Sequence, residues 1–464
     1  GLPETAVRES KDRVRCAILN SHFNFPDRRI TVNLAPADLP KEGGRFDLPI
    51  AMGILTASGQ VPQELMSHHE LLGELALDGR LCAVPGAIPA AIAASAARRQ
   101  LVLPEDSAAL AALAPGSRII AASDLLTLSA HLNGSRAIEP QLPGRPAREH
   151  QYPDLQDVAG QQGARRALEI AASGNHHLLL SGPPGTGKTL LASRLPGILP
   201  APGPAEVLTL LAIRSFLDPA STAESCHRPF RSPHHTASAA ALVGGGSKPR
   251  PGEVSLAHGG VLFLDEIAEF SRHSLEALRE PQESGEISLS RARHRTRYPA
   301  RFQLVAAMNP CPCGYMDDPD QPCRCSPEQI QRYRARLSGP LLDRIDLQVP
   351  VHRLLPAELL RLQLDNESSA SVRARVATSR AGQIQRQGCA NAQIPPACLL
   401  ELCQLDRAET RYLEAAADRM KLSGRALHRS LRVARTIADL AACPVVRTEH
   451  IGEALAYRNA DRKS

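Results

Sequence analysis

The sequence predicts an α/β protein in which a phosphate-loop domain follows an α+β domain and precedes a helical domain. Two observations predict the central domain: a glycine-rich loop between an apolar strand and a helical pattern, and two later apolar runs that end on polar residues. A third observation predicts the helical domain: the apolar positions of the tail recur at helical spacing. We place the α+β domain at residues 1–138, a Pro- and Gly-rich linker at 139–154, the nucleotide-binding core at 155–353 and the helical domain at 354–464.

Composition narrows the classes of partner. The 464 residues carry a formal net charge of +6, and most of the positive charges are arginines. This bias favours an anionic polymer or a nucleotide as the partner. A GC-rich genome explains the arginine bias equally well. The longest apolar run, Leu81 to Ala97, contains prolines and is too short to span a bilayer, so we expect no membrane partner. Eleven cysteines without even spacing indicate a reducing cytoplasm.

The glycine-rich loop is a predicted phosphate-binding site. An apolar strand, Leu178 to Leu180, leads into the pattern Gly-x-x-x-x-Gly-Lys-Thr, and a helical pattern follows. In such a loop backbone N–H groups surround phosphates at a helix N-terminus, the lysine contacts the terminal phosphates and the threonine hydroxyl binds Mg²⁺. The predicted ATP-binding residues are Gly182, Pro183, Pro184, Gly185, Thr186, Gly187, Lys188 and Thr189.

Two later apolar runs supply the predicted catalytic residues. Val261 to Leu264 ends in Asp265 and Glu266, of which the first is expected to hold Mg²⁺ and the second to orient the attacking water. The run from Phe302 to Pro310 contains Asn309, whose amide is expected to contact the terminal phosphate or the same water. Buried parallel strands end together at a ligand crevice, so these side chains should meet the phosphate loop.

The loop, the Asp-Glu strand and the strand ending in asparagine occur in the order of Walker A, Walker B and sensor 1, and so the chain resembles the AAA+ ATPases. That resemblance implies a ring of subunits. In "SGPLLDRIDL" it implies an arginine finger, Arg344, that acts on the ATP of a neighbouring subunit, and in "LSGRALHRSL" it implies sensor 2, Arg425, which contacts phosphate from the helical lid. The alternatives are a surface ion pair for Arg344 and a helix-capping charge for Arg425.

A row of arginines lies between the Asp-Glu strand and the asparagine strand. Arg291, Arg293, Arg295 and Arg297 occupy every second position, and on an extended chain they would share one face. An insertion at this place resembles the pre-sensor 1 hairpin of the helix-2-insert AAA+ proteins, which points into the central pore. Such a row would attract a nucleic-acid backbone without reading its sequence.

A second basic segment, "HRPFRSPHHTASAAALVGGGSKP", lies where the helix-2 insert of those proteins belongs. Its candidate DNA-binding residues are Arg228, Arg231, His234 and His235. For both basic segments the competing interpretation is a solvated charged face. Only Phe230 and Tyr298 lie in these stretches as aromatic residues, so contact with single-stranded or branched DNA should be mainly through phosphates.

Four cysteines form a predicted structural zinc site. Cys311, Cys313, Cys323 and Cys325 form two C-x-C pairs in "CPCGYMDDPDQPCRC", and four thiolates complete a tetrahedral zinc shell in a reducing compartment. Free thiols and a conditional disulfide are the alternatives. No catalytic role is expected, since a four-thiolate site leaves no open position.

The N-terminal part resembles the proteolytic domain of Lon. It keeps Pro40-Lys41-Glu42-Gly43 and Gly79-Arg80, the turns that in Lon lead to a catalytic serine and a catalytic lysine. Here Gly44 to Asp47 offers no serine, and no lysine follows Gly79 until Lys188, so the Ser-Lys dyad cannot be assembled at the matching positions. We therefore expect this domain to serve assembly or binding.

A Lon-like domain followed by a magnesium-chelatase-like AAA+ module with "REPQESGEISLSRA" and "AAMNPCPCG" is similar to the YifB/ComM family along nearly the whole chain. The resemblance implies a hexameric, ATP-driven DNA translocase or helicase that promotes branch migration in natural transformation. It also implies that a few tens of residues precede Gly1. The alternatives are a magnesium-chelatase-type motor subunit, which acts through a partner protein, and an ATP-dependent protease or unfoldase.

Overall fold

The computed structural model describes residues 5–35, 43–144, 151–218, 227–245, 250–291, 294–316, 318, 321–354 and 366–458. These residues form two compact units. The first comprises Gly1–His150, Pro202–His227 and Ser288–Thr296, and the second comprises Gln151–Ala201, Arg228–Ile287 and Arg297–Ser464. Each unit is an α/β structure around its own apolar core, which confirms the predicted fold class.

The first unit contains helices α1 to α6 and strands β1 to β5. They are α1 (Thr5–Asn20), α2 (Asp47–Ala57), α3 (Gln63–Met66), β1 (His69–Leu71), β2 (Glu74–Leu75), β3 (Leu81–Cys82), α4 (Ala87–Ala96), β4 (Gln100–Pro104), α5 (Glu105–Ala111), β5 (Ile119–Ala122) and α6 (Leu125–Leu132). Strands β1, β4 and β5 form a parallel sheet in that order, and β2 pairs with β3 in an antiparallel hairpin.

A partly buried ion pair lies where the Lon-like nucleophile turn is expected. Asp47, at the start of α2, is fully buried, and its carboxylate accepts from Arg13 Nε of α1 at 2.8 Å. The turn before it, Gly44–Phe46, is a short 3₁₀ helix that contains Arg45 in place of a hydroxyl or thiol residue. An arginine-aspartate contact thus ties α1 to α2 at this point; Pro40 to Glu42 lie outside the described residues.

The rest of the chain contains helices α7 to α20 and strands β6 to β14. They are α7 (Gln162–Gly174), β6 (Leu178–Ser181), α8 (Lys188–Ile198), α9 (Pro204–Ser215, in the first unit), β7 (Phe230–Arg231), α10 (Ala239–Val243), β8 (Gly244–Gly245), β9 (Arg250–Pro251), α11 (Glu253–Leu256), β10 (Val261–Leu264), α12 (Arg272–Ala277), α13 (Arg279–Ser284), β11 (Glu286–Arg291, partly in the first unit), β12 (His294–Pro299, partly in the first unit), β13 (Gln303–Met308), α14 (Pro327–Arg334), α15 (Gly339–Leu342), β14 (Leu347–Pro350), α16 (Ser369–Gln387), α17 (Pro396–Cys403), α18 (Arg407–Arg419), α19 (Gly424–Leu440) and α20 (Thr448–Ala456).

Five parallel strands form the central sheet of the second unit, in the order β14, β6, β13, β10, β7. Strands β10 and β13 are buried along their whole length, as expected for a parallel sheet covered on both faces. The order places β13 between β6 and β10. Because all three run in one direction, their carboxyl ends meet at one edge, and the phosphate loop, Asp265 and Asn309 follow directly from those ends.

The tail is helical, as its apolar periodicity predicts. Helix α19 packs against α7, α16 and α20, and its Leu431, Val433 and Ile437 join the core of the central sheet. Its Arg435 is fully buried, but its guanidinium donates to Asp439 and to the carbonyls of Cys443 and Pro444. That pairing compensates for removing the charge from water. Within the described ranges, no helix is long and apolar enough to cross a bilayer.

The arginine row does not lie on one strand. Strand β11 ends at Arg291, and Arg295 and Arg297 lie in β12, so the segment is a two-stranded hairpin. Arg293 lies outside the described residues, as do the side chains of Arg291 and Arg295. The described part of the row therefore lies on two paired strands and not on the single extended face that was expected.

Candidate nucleotide-binding site

The phosphate loop joins β6 to α8 and has the backbone that its glycines require. Gly185 and Gly187 have φ of 78° and 88°, in the left-handed region that favours glycine. A Cβ on Gly182 would lie 2.1 Å from the carbonyl oxygen of Val351, so only glycine allows the loop to pass beside β14. The 11-residue helix α8 begins at Lys188 and directs its free N–H groups into the loop.

Lys188 lies at the centre of the loop and is largely buried. Its Nζ donates to the carbonyl oxygens of Gly182 and Pro183 at 2.7 and 2.8 Å, and to Asn309 Oδ1 at 3.2 Å. Burial lowers the pKa of the Lys188 ammonium, and the carboxylates of Asp265 and Glu266 oppose that shift. The ammonium thus lies among oxygen acceptors, a position suited to the oxygens of a terminal phosphate.

Thr189 and Asp265 form a second polar pair in the loop. The Thr189 hydroxyl donates to Asp265 Oδ2 at 2.7 Å, so a hydroxyl and a carboxylate from two elements lie together beside the phosphate loop. Oxygen ligands of this kind are what Mg²⁺ prefers. The donor set therefore fits the ion that the sequence predicts.

Glu266 follows Asp265 in a left-handed backbone conformation, with φ of 50°. Its N–H donates to Asp265 Oδ1 at 3.0 Å, and its side chain is 55% exposed. Among the residues that the structure describes, no arginine pairs with this half-exposed carboxylate, which is therefore suited to holding a water molecule. His235 lies beside it, with Nδ1 3.7 Å from Glu266 Oε2. The structure thus places a predicted DNA-binding histidine next to the predicted catalytic carboxylate.

Two cavities adjoin the loop. One of about 380 Å³ is lined by Pro184, Gly185, Thr186, Gly187, Lys188, Thr189, Asp265, Glu266, Met308 and Asn309, and so brings nearly all the predicted ATP-site residues together. The other, of about 410 Å³, shares Gly185 to Gly187 and is otherwise lined by Asp157, Val158, Ala159, Gln161, Leu190, Leu191, Arg353 and Leu354. Together they offer a polar half for phosphates and a more apolar half for a base and sugar.

The second cavity was not predicted from sequence, although the order of the flanking elements indicates it. Helix α7 precedes β6 and packs beside it, and the segment before α7 lines the same cavity as Gly185 to Gly187, which follow β6. Strand β14 runs parallel to β6, and Arg353 follows it at the same edge. The position of Asp157 to Gln161 in the sequence, just before α7, would therefore have indicated that these residues lie near the phosphate loop.

Arg344 and Arg425 lie away from both cavities at the loop. They line a third cavity, of about 260 Å³, together with Glu283, Pro340, Asp343, Pro396, His428, Arg429 and Arg432. Arg425 is exposed near the start of α19, whereas Arg344 is only 6% exposed. Within the second unit, neither guanidinium therefore lines the pocket of its own phosphate loop.

The two arginines of the helix-2-insert segment make contacts inside the second unit. Arg228 donates to the carbonyl oxygens of Pro200 and Gly259, and Arg231 pairs with Glu253 at 2.7 Å in a bidentate contact. The His234 and His235 rings lie 4.1 Å apart between centroids. Arg228 and Arg231 therefore take part in contacts that hold the fold together.

Comparison with known proteins agrees with this geometry. A model described as "Magnesium chelatase, subunit ChlI" matches residues 154–359, and related models for ChlI and its C-terminal part match residues 1–107 and 366–458. The uncharacterized protein YifB of Escherichia coli (strain K12) is 48% identical over 463 residues, which cover 100% of this chain and 91% of that protein. The chain belongs to the YifB/ComM family of magnesium-chelatase-like AAA+ proteins.

Two other relatives define the extent of this YifB/ComM likeness. Competence protein ComM of Haemophilus influenzae is 47% identical over 464 residues, covering 99% of this chain and 91% of ComM. Lon protease 2 of Bacillus subtilis is 32% identical over 123 residues, covering 25% of this chain and 22% of that protease. The chain is thus a ComM-like ATPase by family, with a Lon-like match in its N-terminal part.

The predicted zinc ligands of this YifB/ComM family member lie together directly after Asn309. Sulfur-sulfur distances are 3.4 Å for Cys311 and Cys313, 3.7 Å for Cys311 and Cys323, and 3.6 Å for Cys313 and Cys323, and Cys325 lies within the same 4.8 Å group. Zinc-sulfur bonds of about 2.3 Å in a tetrahedron place sulfurs about 3.8 Å apart. Backbone N–H groups of Tyr315 and Arg324 lower the pKa of Cys313 to about 6, which favours the thiolate. Four converging sulfurs fit a metal ion.

The cysteine loop also packs against the nucleotide site. A Cβ on Gly314, whose φ is 85°, would lie 2.6 Å from Pro184 Cδ of the phosphate loop. Helix α14 begins after Cys325, with Ser326 as its N-cap. Burial raises the pKa of Tyr333 in this helix to about 12, and the backbone N–H of Asn309 opposes that shift by hydrogen bonding. The loop and α14 thus lie against the strand end that bears Asn309.

We expect purified protein to contain about one Zn²⁺ per chain, because four thiolates complete one tetrahedral shell. Metal analysis by plasma mass spectrometry checks this. The Cys313→Ser and Cys323→Ser double variant should lose the metal, while Cys398→Ser, at an exposed cysteine outside the cluster, should retain it. A metal-free, fully folded wild-type protein would contradict the zinc site.

Proposed function

We propose that this chain is a homohexameric, ATP-driven DNA translocase that promotes branch migration during homologous recombination in natural transformation. The observation that carries the proposal is the separation of two half-sites in the second unit. The phosphate loop, Asp265, Glu266 and Asn309 line one cavity, and Arg344 and Arg425 line another. A second copy of the chain would complete each ATP site, as a closed head-to-tail ring requires.

The residues of the loop cavity have separate tasks in ATP hydrolysis. Lys188 and the N–H groups at the start of α8 bind the phosphates, and Thr189 and Asp265 would hold Mg²⁺. When bound, Mg²⁺ offsets the charge of the phosphate oxygens. Glu266 orients the attacking water, since phosphoanhydride hydrolysis requires a positioned nucleophile more than a strong base. Asn309, held by Lys188 Nζ at 3.2 Å, contacts the terminal phosphate or that water.

Arg344 of the neighbouring copy stabilises the charge that develops on the transferred phosphoryl group. Because Arg425 lines the same cavity as Arg344, we assign it to the same neighbouring ATP. Both guanidiniums would then report the nucleotide state of one subunit to the next.

DNA is the proposed cargo. The hairpin of β11 and β12 contains Arg291, Arg295 and Arg297, with Arg293 in its sequence between the two strands, and six copies around a pore would attract a phosphate backbone. The full-length similarity to competence protein ComM supports this choice of cargo. Since Arg228 and Arg231 make contacts within the fold, the hairpin carries the proposed DNA contact.

Steady-state ATP hydrolysis tests the proposal. Rates are measured without polymer, with single-stranded DNA and with a branched junction, each at two salt concentrations. A DNA translocase should be stimulated, and the stimulation should fall at higher salt because counterion release drives backbone binding. A chelatase-type motor or an unfoldase should not respond to DNA, and would instead require a partner protein or an unfolded substrate.

Neutralising the hairpin should weaken DNA binding. With Arg291, Arg293, Arg295 and Arg297 all changed to Gln, we expect lower affinity and a shallower salt dependence, because each single-strand phosphate that is no longer neutralised reduces the slope by about 0.7. Basal ATP hydrolysis should be unchanged. Fluorescence anisotropy at several salt concentrations measures both the affinity and its salt dependence.

A charge-matched control separates the hairpin from net charge. Changing four exposed arginines elsewhere, Arg28, Arg29, Arg407 and Arg411, to Gln removes the same charge. This control should retain most of the wild-type affinity. An equal decrease in affinity in both variants would remove the hairpin from the DNA-binding site.

A further inference from the structure

Arg344 is held by three contacts in the second unit. Its guanidinium donates to the carbonyl oxygen of Pro340 at 2.7 Å and forms an ion pair with the Glu283 carboxylate. Its own carbonyl oxygen accepts from Arg429 at 2.7 Å. With 6% of its surface exposed, Arg344 is folded into the protein instead of extending toward a second copy.

The cavity around this ion pair is rich in positive charge. Its lining contributes the guanidiniums of Arg344, Arg425, Arg429 and Arg432 and the ring of His428, against the carboxylates of Glu283 and Asp343. Burial lowers the pKa of Arg432, and the neighbouring Arg429 charge adds to that shift. Glu283 therefore occupies the place beside Arg344 where an anionic ligand would be favoured.

Glu283 also lies at the base of the arginine hairpin. It is in the last turn of α13, and only Ser284 and Gly285 separate it from β11. Gly285 has φ of 70°, and its carbonyl oxygen accepts from the N–H of Ala300 at 2.8 Å, which closes the base of the hairpin. The carboxylate is thus joined to the hairpin by two residues, one of which requires a left-handed backbone.

We propose that Glu283 is a positioning residue that holds Arg344 away from the ATP of the neighbouring copy, and that it releases the arginine when DNA engages the hairpin. The inference rests on the proposed function, since it names the regulation of the same ATP site. Carboxylate and phosphate compete for one guanidinium, so Arg344 cannot satisfy Glu283 and a neighbouring phosphate with the same N–H groups. DNA that pulls on the hairpin displaces α13 and frees the arginine.

The restraint on Arg344 predicts a specific change in the rates of ATP hydrolysis. An isosteric Glu283→Gln change removes the negative charge, weakens the restraint and should raise the DNA-free rate of ATP hydrolysis by about fivefold or more. The DNA-stimulated rate should change little, so the ratio of stimulated to basal rates falls. A purely structural role for Glu283 would instead lower both rates together with the melting temperature.

The experiment compares steady-state ATP hydrolysis, with and without single-stranded DNA, in four full-length proteins: wild type, Glu283→Gln, Glu283→Asp and Glu280→Gln. Glu280 is exposed in the first turn of the same helix, so its change removes the same charge without reaching Arg344. Glu283→Asp retains the carboxylate and should retain a low basal rate. Thermal unfolding of each protein is recorded in parallel.

Either result of the Glu283→Gln measurement decides the inference. A raised basal rate with Glu280→Gln at the wild-type level supports it. A basal rate at or below the wild-type value overturns it, whatever DNA does. The response of the wild-type protein to DNA is a separate measurement. If DNA does not stimulate ATP hydrolysis, the DNA-motor proposal fails. The basal rate of Glu283→Gln still tests the restraint on Arg344 in that case.

Discussion

Changing Glu266 to Gln is expected to lower ATP turnover by about 10²- to 10⁴-fold while leaving ATP binding intact. The carboxylate lines the loop cavity, 55% exposed and free of any arginine pair within the part of the chain that the structure describes, so its expected task is to orient water. The amide retains the shape but loses the charge and one hydrogen-bond acceptor. The expected phosphate contacts are with Lys188 and the start of α8, which the change does not alter.

Two measurements check the Glu266 prediction. Phosphate release gives turnover, and a fluorescent ATP analogue gives the dissociation constant. Glu269→Gln is the matched control, because Glu269 lies three residues on, pairs with Arg336 at 2.7 Å and does not line the cavity. Retained turnover in Glu266→Gln would show that another group positions the water, and His235 would become the first candidate.

Arg344→Ala is expected to lower turnover of the assembled protein by about 10³-fold or more, as finger arginines supply that much in related phosphoryl transfers. Binding of ATP should persist, because Arg344 lines a different cavity from the phosphate loop. The informative measurement is complementation. Mixing Arg344→Ala with Lys188→Ala before assembly should restore activity at about a quarter of the interfaces, where an intact loop meets an intact finger in a randomly mixed ring.

The same mixing assigns Arg425. If Arg425 acts on the neighbouring ATP, Arg425→Ala is rescued by Lys188→Ala but not by Arg344→Ala, since both arginines then belong to one side of the interface. If it acts on the ATP of its own subunit, Arg344→Ala rescues it. If neither partner variant restores the activity of Arg344→Ala, the proposed ATP site shared between subunits is wrong.

The residues that line the loop cavity could be selected from local sequence, because each of them belongs to a short motif. The loop requires glycines at fixed spacing, buried strands are short apolar runs, and parallel strands bring Asp265 and Asn309 to the loop. The four sulfurs likewise converge from two C-x-C pairs, as their spacing predicts. In each case the residue types and their order already specify the contact.

Partners distant in sequence could not be predicted in this way. Arg231 pairs with Glu253, His235 lies beside Glu266, and Arg425 shares a cavity with Arg344; none of these contacts has a sequence spacing that defines it. The sequence around an arginine does not show whether its side chain faces a pore or a carboxylate of the same protein. Only the packed positions of the surrounding helices and strands distinguish these two environments.

The sequence by itself determined the α/β class, the order of the strands that precede Asp265 and Asn309, the glycine-rich loop and the cysteine cluster, because hydrophobic periodicity and motif spacing act over a few residues. The tertiary structure alone decided which charges meet. It placed Arg344 against Glu283, divided the arginine row between two paired strands and brought the Asp157 to Gln161 segment to a cavity beside the glycine-rich loop. Electrostatic pairing depends on distances in space, which only the folded chain defines.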